Sequence, residues 1–120
     1  MTVAAIVLAA GASRRMGQSK PLLPWGDRTL LRWELDELMR SAVDEVVVVT
    51  GCDADDVRRS LGDGGRYCVF NQRWPQGRAT SPAAGARALL KPGKPTPEIV
   101  VVMNVDQPTR HDIVDRLIEW

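Results

Sequence analysis

Val3-Ala-Ala-Ile-Val-Leu-Ala-Ala-Gly-Ala-Ser-Arg-Arg-Met-Gly-Gln-Ser-Lys20 is the stretch whose reading decides the fold. Residues 3–8 are apolar throughout, as in a central parallel strand covered on both faces. The strand delivers the chain into a loop of small residues carrying three cations, Arg14, Arg15 and Lys20. Small residues let backbone N–H groups approach a ligand closely. Free N–H groups beside guanidinium and ammonium charge make a phosphate cradle. Two commoner phosphate loops are excluded. A P-loop requires Gly-x-x-x-x-Gly-Lys-Ser/Thr, whereas five residues separate Gly11 from Gly17 and Gln18 follows. The dinucleotide fingerprint requires Gly-x-Gly-x-x-Gly, and here Ser13 and Met16 stand in two of the glycine positions.

Outward from this loop, helices and strands alternate. Residues 29–39 carry apolar side chains at 30, 31, 35, 38 and 39, a helical period, with Thr29 or Asp27 as cap. Four consecutive valines within residues 45–50 predict a second buried strand, ended by Gly51. Residues 53–61 predict a short helix capped by Asp53, with Asp55 and Asp56 in the first turn where the helix dipole favours them. A weaker strand follows at 66–70, then an Ala-rich helix at 81–90 that admits Pro82 in its first turn. After a proline-rich connection at 91–97 come a further buried strand at 98–103 and an apolar-periodic helix at 109–120. This alternation implies an α/β fold: a three-layer α/β/α, Rossmann-like parallel sheet with right-handed crossovers, in one domain over residues 1–120.

The formal net charge of +1 supplies no bulk attraction to nucleic acid or to a membrane surface, so the cations of residues 14–20 act locally. Cys52 and Cys68 are the only cysteines and form no Cys-x-x-Cys pair, which reads as reduced thiols in a cytoplasmic protein. The N-terminal apolar run is too short to span a bilayer and has no basic region before it, so neither signal peptide nor membrane anchor is expected.

In a parallel sheet of this kind, ligands collect beyond the carboxyl ends of the strands. Three segments fall there: the loop after the first strand, residues 71–81, and Asn104-Val-Asp-Gln-Pro108. Asp106 is thereby a carboxylate held at a strand end, either a turn residue before Pro108 or a ligand for a hard divalent cation. Trp74 has two readings, stacking on a base or simple loop packing. The lone histidine, His111, falls in the first turn of a helix. Trp25 and Trp33 read as packing residues, and Arg58 and Arg59 with Asp53, Asp55 and Asp56 as a solvated helix face with i,i+3 pairs.

Residues 8–31 resemble the signature of nucleotidyltransferases of the molybdenum cofactor type, the cytidylyltransferase and guanylyltransferase family. That signature is Leu-Ala-Ala/Gly-Gly-x-Ser-x-Arg-Met-Gly-x-x-Lys, followed by Leu-Leu-Pro and a Gly-x-x-Leu-Leu helix start. It is matched by Gly11, Ser13, Arg15, Met16, Gly17, Lys20, Leu22, Leu23, Pro24, Gly26, Leu30 and Leu31. The resemblance implies a fold like that of nucleotide-diphospho-sugar transferases, with this chain as its N-terminal, nucleotide-binding part. It implies a triphosphate site from Leu8, Ala10, Gly11, Ser13, Arg14 and Lys20, with Arg15 and Lys20 as catalytic cations. Asp106 matches the family aspartate that binds Mg²⁺. Residues 71–85 are similar to a third family element, Asn-x-x-x-x-x-Gly-x-x-x-Ser-Leu-x-x-Gly, which contacts base and ribose. Its matches are Asn71, Gly77 and Ser81, and it departs at Pro82.

What the resemblance implies for function is transfer of CMP or GMP from CTP or GTP to a phosphorylated acceptor, molybdopterin, with release of pyrophosphate. A molybdenum hydroxylase apoenzyme is an implied partner; nucleic acid and membrane are not. Ala10 and the run Lys-Pro-Leu-Leu-Pro-Trp25 lean toward cytidylyl transfer. Two other readings stay open: a transferase acting on a sugar phosphate or other small molecule, and a non-catalytic or redox-recruited nucleotide-binding domain. Ile113, Leu117 and Ile118 form a stripe running to Trp120 without a cap, and family members are longer, so a fragment is expected.

Overall fold

Four strands build one all-parallel sheet: β1 (Val3–Ala9), β2 (Glu45–Thr50), β3 (Cys68–Phe70) and β4 (Ile99–Asn104), in the order β3-β2-β1-β4. The computed structural model describes residues 2–11, 14–15 and 18–119, apart from the side chains of Arg14, Arg15 and Gln18. Parallel neighbours cannot be joined by a hairpin, so helices bridge successive strands. These are α1 (Leu30–Arg40), α2 (Ala54–Ser60) and α3 (Thr80–Leu89); α4 (His111–Ile118) follows β4.

β1 lies inside the sheet, with Ile6 opposite Val47 on one side and Val102 on the other. Its side chains alternate between two cores. Ala5, Val7 and Ala9 join Leu31, Leu35 and Leu38 of α1, Val57 of α2 and Val114 of α4. Ala4 and Ile6 join Val47 and Val49 of β2 and Ala84 and Leu89 of α3. Helices on both faces explain why residues 3–8 show no polar alternation. The three layers are as the sequence implies.

α1 begins at the expected cap. The Thr29 hydroxyl accepts a hydrogen bond from the Arg32 N–H at 3.2 Å, while Asp27 pairs with Arg28 instead. Trp25 and Trp33 pack together, with ring centroids 6.0 Å apart. α4 is tied to α1 and its following turn. Glu37 accepts from the His111 backbone N–H at 3.0 Å and lies 3.0 Å from its Nδ1, and Asp115 accepts from the Ala42 N–H at 2.7 Å. Arg59 pairs with Asp56 at i,i+3. Among the described residues, no helix is long and apolar enough to cross a membrane.

Four local expectations are corrected. Asp53 stands at the cap position of α2 as expected, but its backbone is left-handed, with φ of 57°, and its side chain makes no cap bond. β3 is shorter than residues 66–70, because Gly62–Tyr67 form a 3-10 turn whose two adjacent glycines disfavour an extended strand. β4 is an edge strand and not a fully buried one. α3 covers β1, β2 and β3 but leaves Val100 and Val102 of β4 44% and 51% exposed. On α4 the inward side chains are Val114 and Ile118, while Ile113 and Leu117 face outward. Two short antiparallel ribbons, Arg14–Arg15 with Gln18–Ser19 and Pro24–Trp25 with Arg28–Thr29, have no counterpart in the sequence reading.

The chain steps from β1 outward through β2 to β3, then returns to place β4 on the other side of β1. The connections leaving the carboxyl ends of β1 and β4 therefore part around a crevice, the standard ligand position in open parallel sheets.

Candidate active site

A cleft of about 510 Å³ opens at that switch point. All three segments singled out in the sequence reach it. The end of β1 and the loop after it contribute Leu8, Ala10, Gly11 and Lys20; the segment after β3 contributes Trp74, Gly77, Arg78 and Ser81; the end of β4 and the turn after it contribute Asn104 and Asp106. The volume is in the range of small-molecule sites. Ser13 lies outside the described residues, as do the side chains of Arg14 and Arg15.

The walls are joined by backbone. The Ala10 carbonyl accepts from the Cys52 N–H at 3.0 Å, and the Leu8 carbonyl from the Val105 N–H at 3.3 Å. Across the cleft, Lys20 Nζ stands 3.1 Å from Asp106 Oδ1. A cation and an anion from different ends of the sequence thus neutralise each other in a half-open position, with side chains 24% and 50% exposed. Gly11 is exposed, and a methyl group built on it would meet nothing, so the space beside this backbone belongs to the cleft.

Asn71 is placed beneath the cleft, not among the residues that line it. It is 2% exposed and its amide is used internally. Nδ2 donates to Thr80 Oγ1 at 2.9 Å and to Ser81 Oγ at 3.0 Å, and Oδ1 accepts from the Arg73 N–H at 3.0 Å. Thr80 Oγ1 also lies within hydrogen-bonding reach of the Gly77 and Arg73 carbonyls, at 2.8 and 3.1 Å. Asn71 therefore braces the 71–81 segment from inside. Gly77 has φ of 137°, a conformation that side chains resist, and Ser81 opens onto the cleft from the first turn of α3.

One residue of the cleft lining and two outside it were not singled out as functional in the sequence. Gly51 is one: a Cβ there would come within 2.6 Å of the Trp74 side chain and 2.8 Å of the Ala10 carbonyl, so the glycine seats Trp74 at the cleft wall. Arg78 is the second. It is exposed and lines the cleft, and its guanidinium has no hydrogen-bond or ion-pair partner among the described residues. Glu34 on α1 is the third, fully buried, with both carboxylate oxygens unpartnered among the described residues. Burial, with a smaller contribution from the Asp106 charge, pushes its carboxyl up to about 8. Its signal was positional, since 34 falls on the inward face defined by 30, 31, 35 and 38.

Among the described residues, no group of three or more His, Cys, Asp or Glu side chains could hold a metal by itself. Asp106 is the one carboxylate among the described residues of the cleft lining. A single hard oxygen donor facing open space suits a cation whose other ligands arrive with the substrate, as is usual for Mg²⁺ on phosphates.

Comparison with known proteins agrees with this geometry. The family model described as MobA-like NTP transferase domain matches residues 5–120. A nucleotidyl transfer enzyme from Methanothermobacter thermautotroptrophicus superposes with a TM-score of 0.82 at 28% identity, covering 98% of this chain and 57% of that one. Nicotine blue oxidoreductase from Paenarthrobacter nicotinovorans is 34% identical over 88% of this chain, which spans 50% of that relative. The molybdenum cofactor guanylyltransferase of Xanthomonas euvesicatoria is 52% identical over a shorter stretch of 46 residues, 38% of this chain and 24% of that protein. The chain spans about half the length of these first two relatives. With the family model covering nearly its whole length and the cleft at the switch point, the chain belongs to the MobA-like NTP transferase domain family.

Proposed function

We propose that the cleft binds a nucleoside triphosphate, CTP or GTP, and serves transfer of its nucleotidyl group to a phosphorylated acceptor of the molybdopterin type. The observation that carries this reading is the meeting of Lys20 and Asp106 at 3.1 Å beside the open backbone of Gly11. A triphosphate there replaces Asp106 as the partner of Lys20. Lys20, with Arg15 and the N–H groups after β1, then offsets charge on the α-phosphoryl and the departing pyrophosphate. An oxygen of the acceptor phosphate attacks the α-phosphorus in line, the bond to the β-phosphate oxygen breaks, and pyrophosphate leaves. Asp106 would hold Mg²⁺, which supplies neutralisation of the triphosphate. Ser13, Arg14, Gly77 and Ser81 complete the donor site in this reading, and Asn71 supports it from below.

The acceptor rests on the signature over residues 8–31 and on the guanylyltransferase similarity. A molybdenum hydroxylase apoenzyme would receive the product, in the cytoplasm, where Cys52 and Cys68 remain free thiols. A second reading has its own observation: the 34% identity to a protein named as an oxidoreductase. The two separate in one assay. Calorimetry with CTP and GTP, with and without Mg²⁺, is expected to show metal-dependent binding that Asp106→Ala abolishes. Pyrophosphate release on adding molybdenum cofactor, and not on adding glucose 1-phosphate, supports the acceptor. Binding of NADH or NADPH in place of any triphosphate overturns the transferase reading.

A further inference from the structure

We propose that Arg78 is the base-reading residue of this cleft, selecting nucleobases that present two adjacent hydrogen-bond acceptors. The inference rests on the triphosphate reading above and extends it to the part of the nucleotide that carries identity. Among the described residues lining the cleft there are two cations, and they differ in situation. Lys20 comes from the β1 side and is engaged by Asp106. Arg78 comes from the opposite wall and is unengaged. Arg73 and Arg87 do not share this role, since they face a separate hollow with Phe70 and Gln72.

The wall that carries Arg78 has the composition of a base pocket. The Trp74 indole and the Pro75 ring supply flat apolar surface, and Trp74 is fixed by its contact with Gly51. The segment cannot drift, because Asn71 and Thr80 tie residues 73, 77, 80 and 81 together. The braced backbone fixes the point from which the guanidinium projects. Its donors form a planar fork and it has no acceptor. The fork matches O6 and N7 of guanine, or O2 and N3 of cytosine. Adenine sets a donor beside each ring-nitrogen acceptor of its pairing edges, and uracil sets N3–H between its two carbonyls. Neither accepts the fork with both arms. Arg78 therefore favours GTP and CTP over ATP and UTP.

The test is equilibrium titration of CTP, GTP, ATP, UTP and inorganic tripolyphosphate, with Mg²⁺, into the wild-type chain, Arg78→Met and Arg78→Ala. The wild type is expected to bind CTP or GTP about ten-fold or more tightly than ATP and UTP. Arg78→Met, which keeps an unbranched apolar stem without hydrogen-bond donors, brings the favoured nucleotide to the level of the others and leaves tripolyphosphate unchanged. Arg78→Ala behaves in the same way. An equal loss for all five ligands makes Arg78 a phosphate contact and overturns the inference while the triphosphate reading stands. Unchanged binding in both variants overturns the inference in the same way. If the wild type binds no triphosphate, both fall together. Arg78 is exposed, so unchanged melting temperatures are expected for the variants.

Discussion

Gly51 and Glu34 show what single residues outside the cleft lining do to their surroundings. Gly51 admits the Trp74 side chain to a distance that no Cβ would permit. Gly51→Val is expected to push Trp74 out of its seat and to destabilise the fold by about 1–3 kcal/mol, read by urea unfolding. Nucleotide affinity falls in the same variant. Glu34 carries the opposite burden, a carboxyl buried without a partner. Its folded-state value of about 8 lies above the ordinary carboxyl value of 4.5, so between these the unfolded chain has released a proton that the folded chain keeps. Stability must then fall as pH rises from about 5 to 8, by up to ~1.4 kcal/mol per pH unit. Glu34→Gln should flatten that slope, measured as urea midpoints at pH 5, 6.5 and 8; equal slopes in the two proteins would contradict it. At this scale the sequence disclosed Lys20, Asp106 and Gly11 through their spacing. Gly51 and Glu34 were opaque, because their meaning depends on neighbours that only the fold supplies.

Among the elements, the segment between β3 and α3 does most to shape the site. Its polar side chains bond each other, so its shape precedes the ligand. Asn71→Ala would leave the Arg73 N–H without its side-chain acceptor and Thr80 and Ser81 without their shared donor. The expected cost is about 1–3 kcal/mol for the lost buried bonds. Weaker nucleotide binding follows although Asn71 itself does not line the cleft. Thermal melting and calorimetry on the same variant separate the two effects, and full retention of both would contradict the brace. Thr29→Ala is a control in another element. Loss of the α1 cap costs about 1 kcal/mol and leaves nucleotide affinity unchanged. Strands with continuous valines and helices with a clear period were legible within a residue or two. The start of α2 was legible too, but not the left-handed backbone of Asp53, which composition does not announce. Nor was the edge position of β4, since its valines read the same whether α3 covers them or not.

At the level of the whole molecule, strand order does the decisive work. Because β4 returns beside β1, residue 106 meets residues 11 and 20 at one crevice although the two connections are far apart in sequence. The alternation of elements foretold the parallel sheet, and the rule for ligand position foretold the crevice. The direction in which the 71–81 segment presents its side chains was not foretold. The central claim is that a metal-bound triphosphate occupies this crevice through all three segments. Amide chemical-shift mapping with CTP or GTP and Mg²⁺ tests it most directly. Perturbations are predicted at Gly11, Lys20, Gly77 and Asp106 and at the Trp74 indole, and they should vanish in Asp106→Ala. Shifts gathered instead in the hollow lined by Asp55, Arg58 and Cys68, or no shifts with any triphosphate, would contradict it.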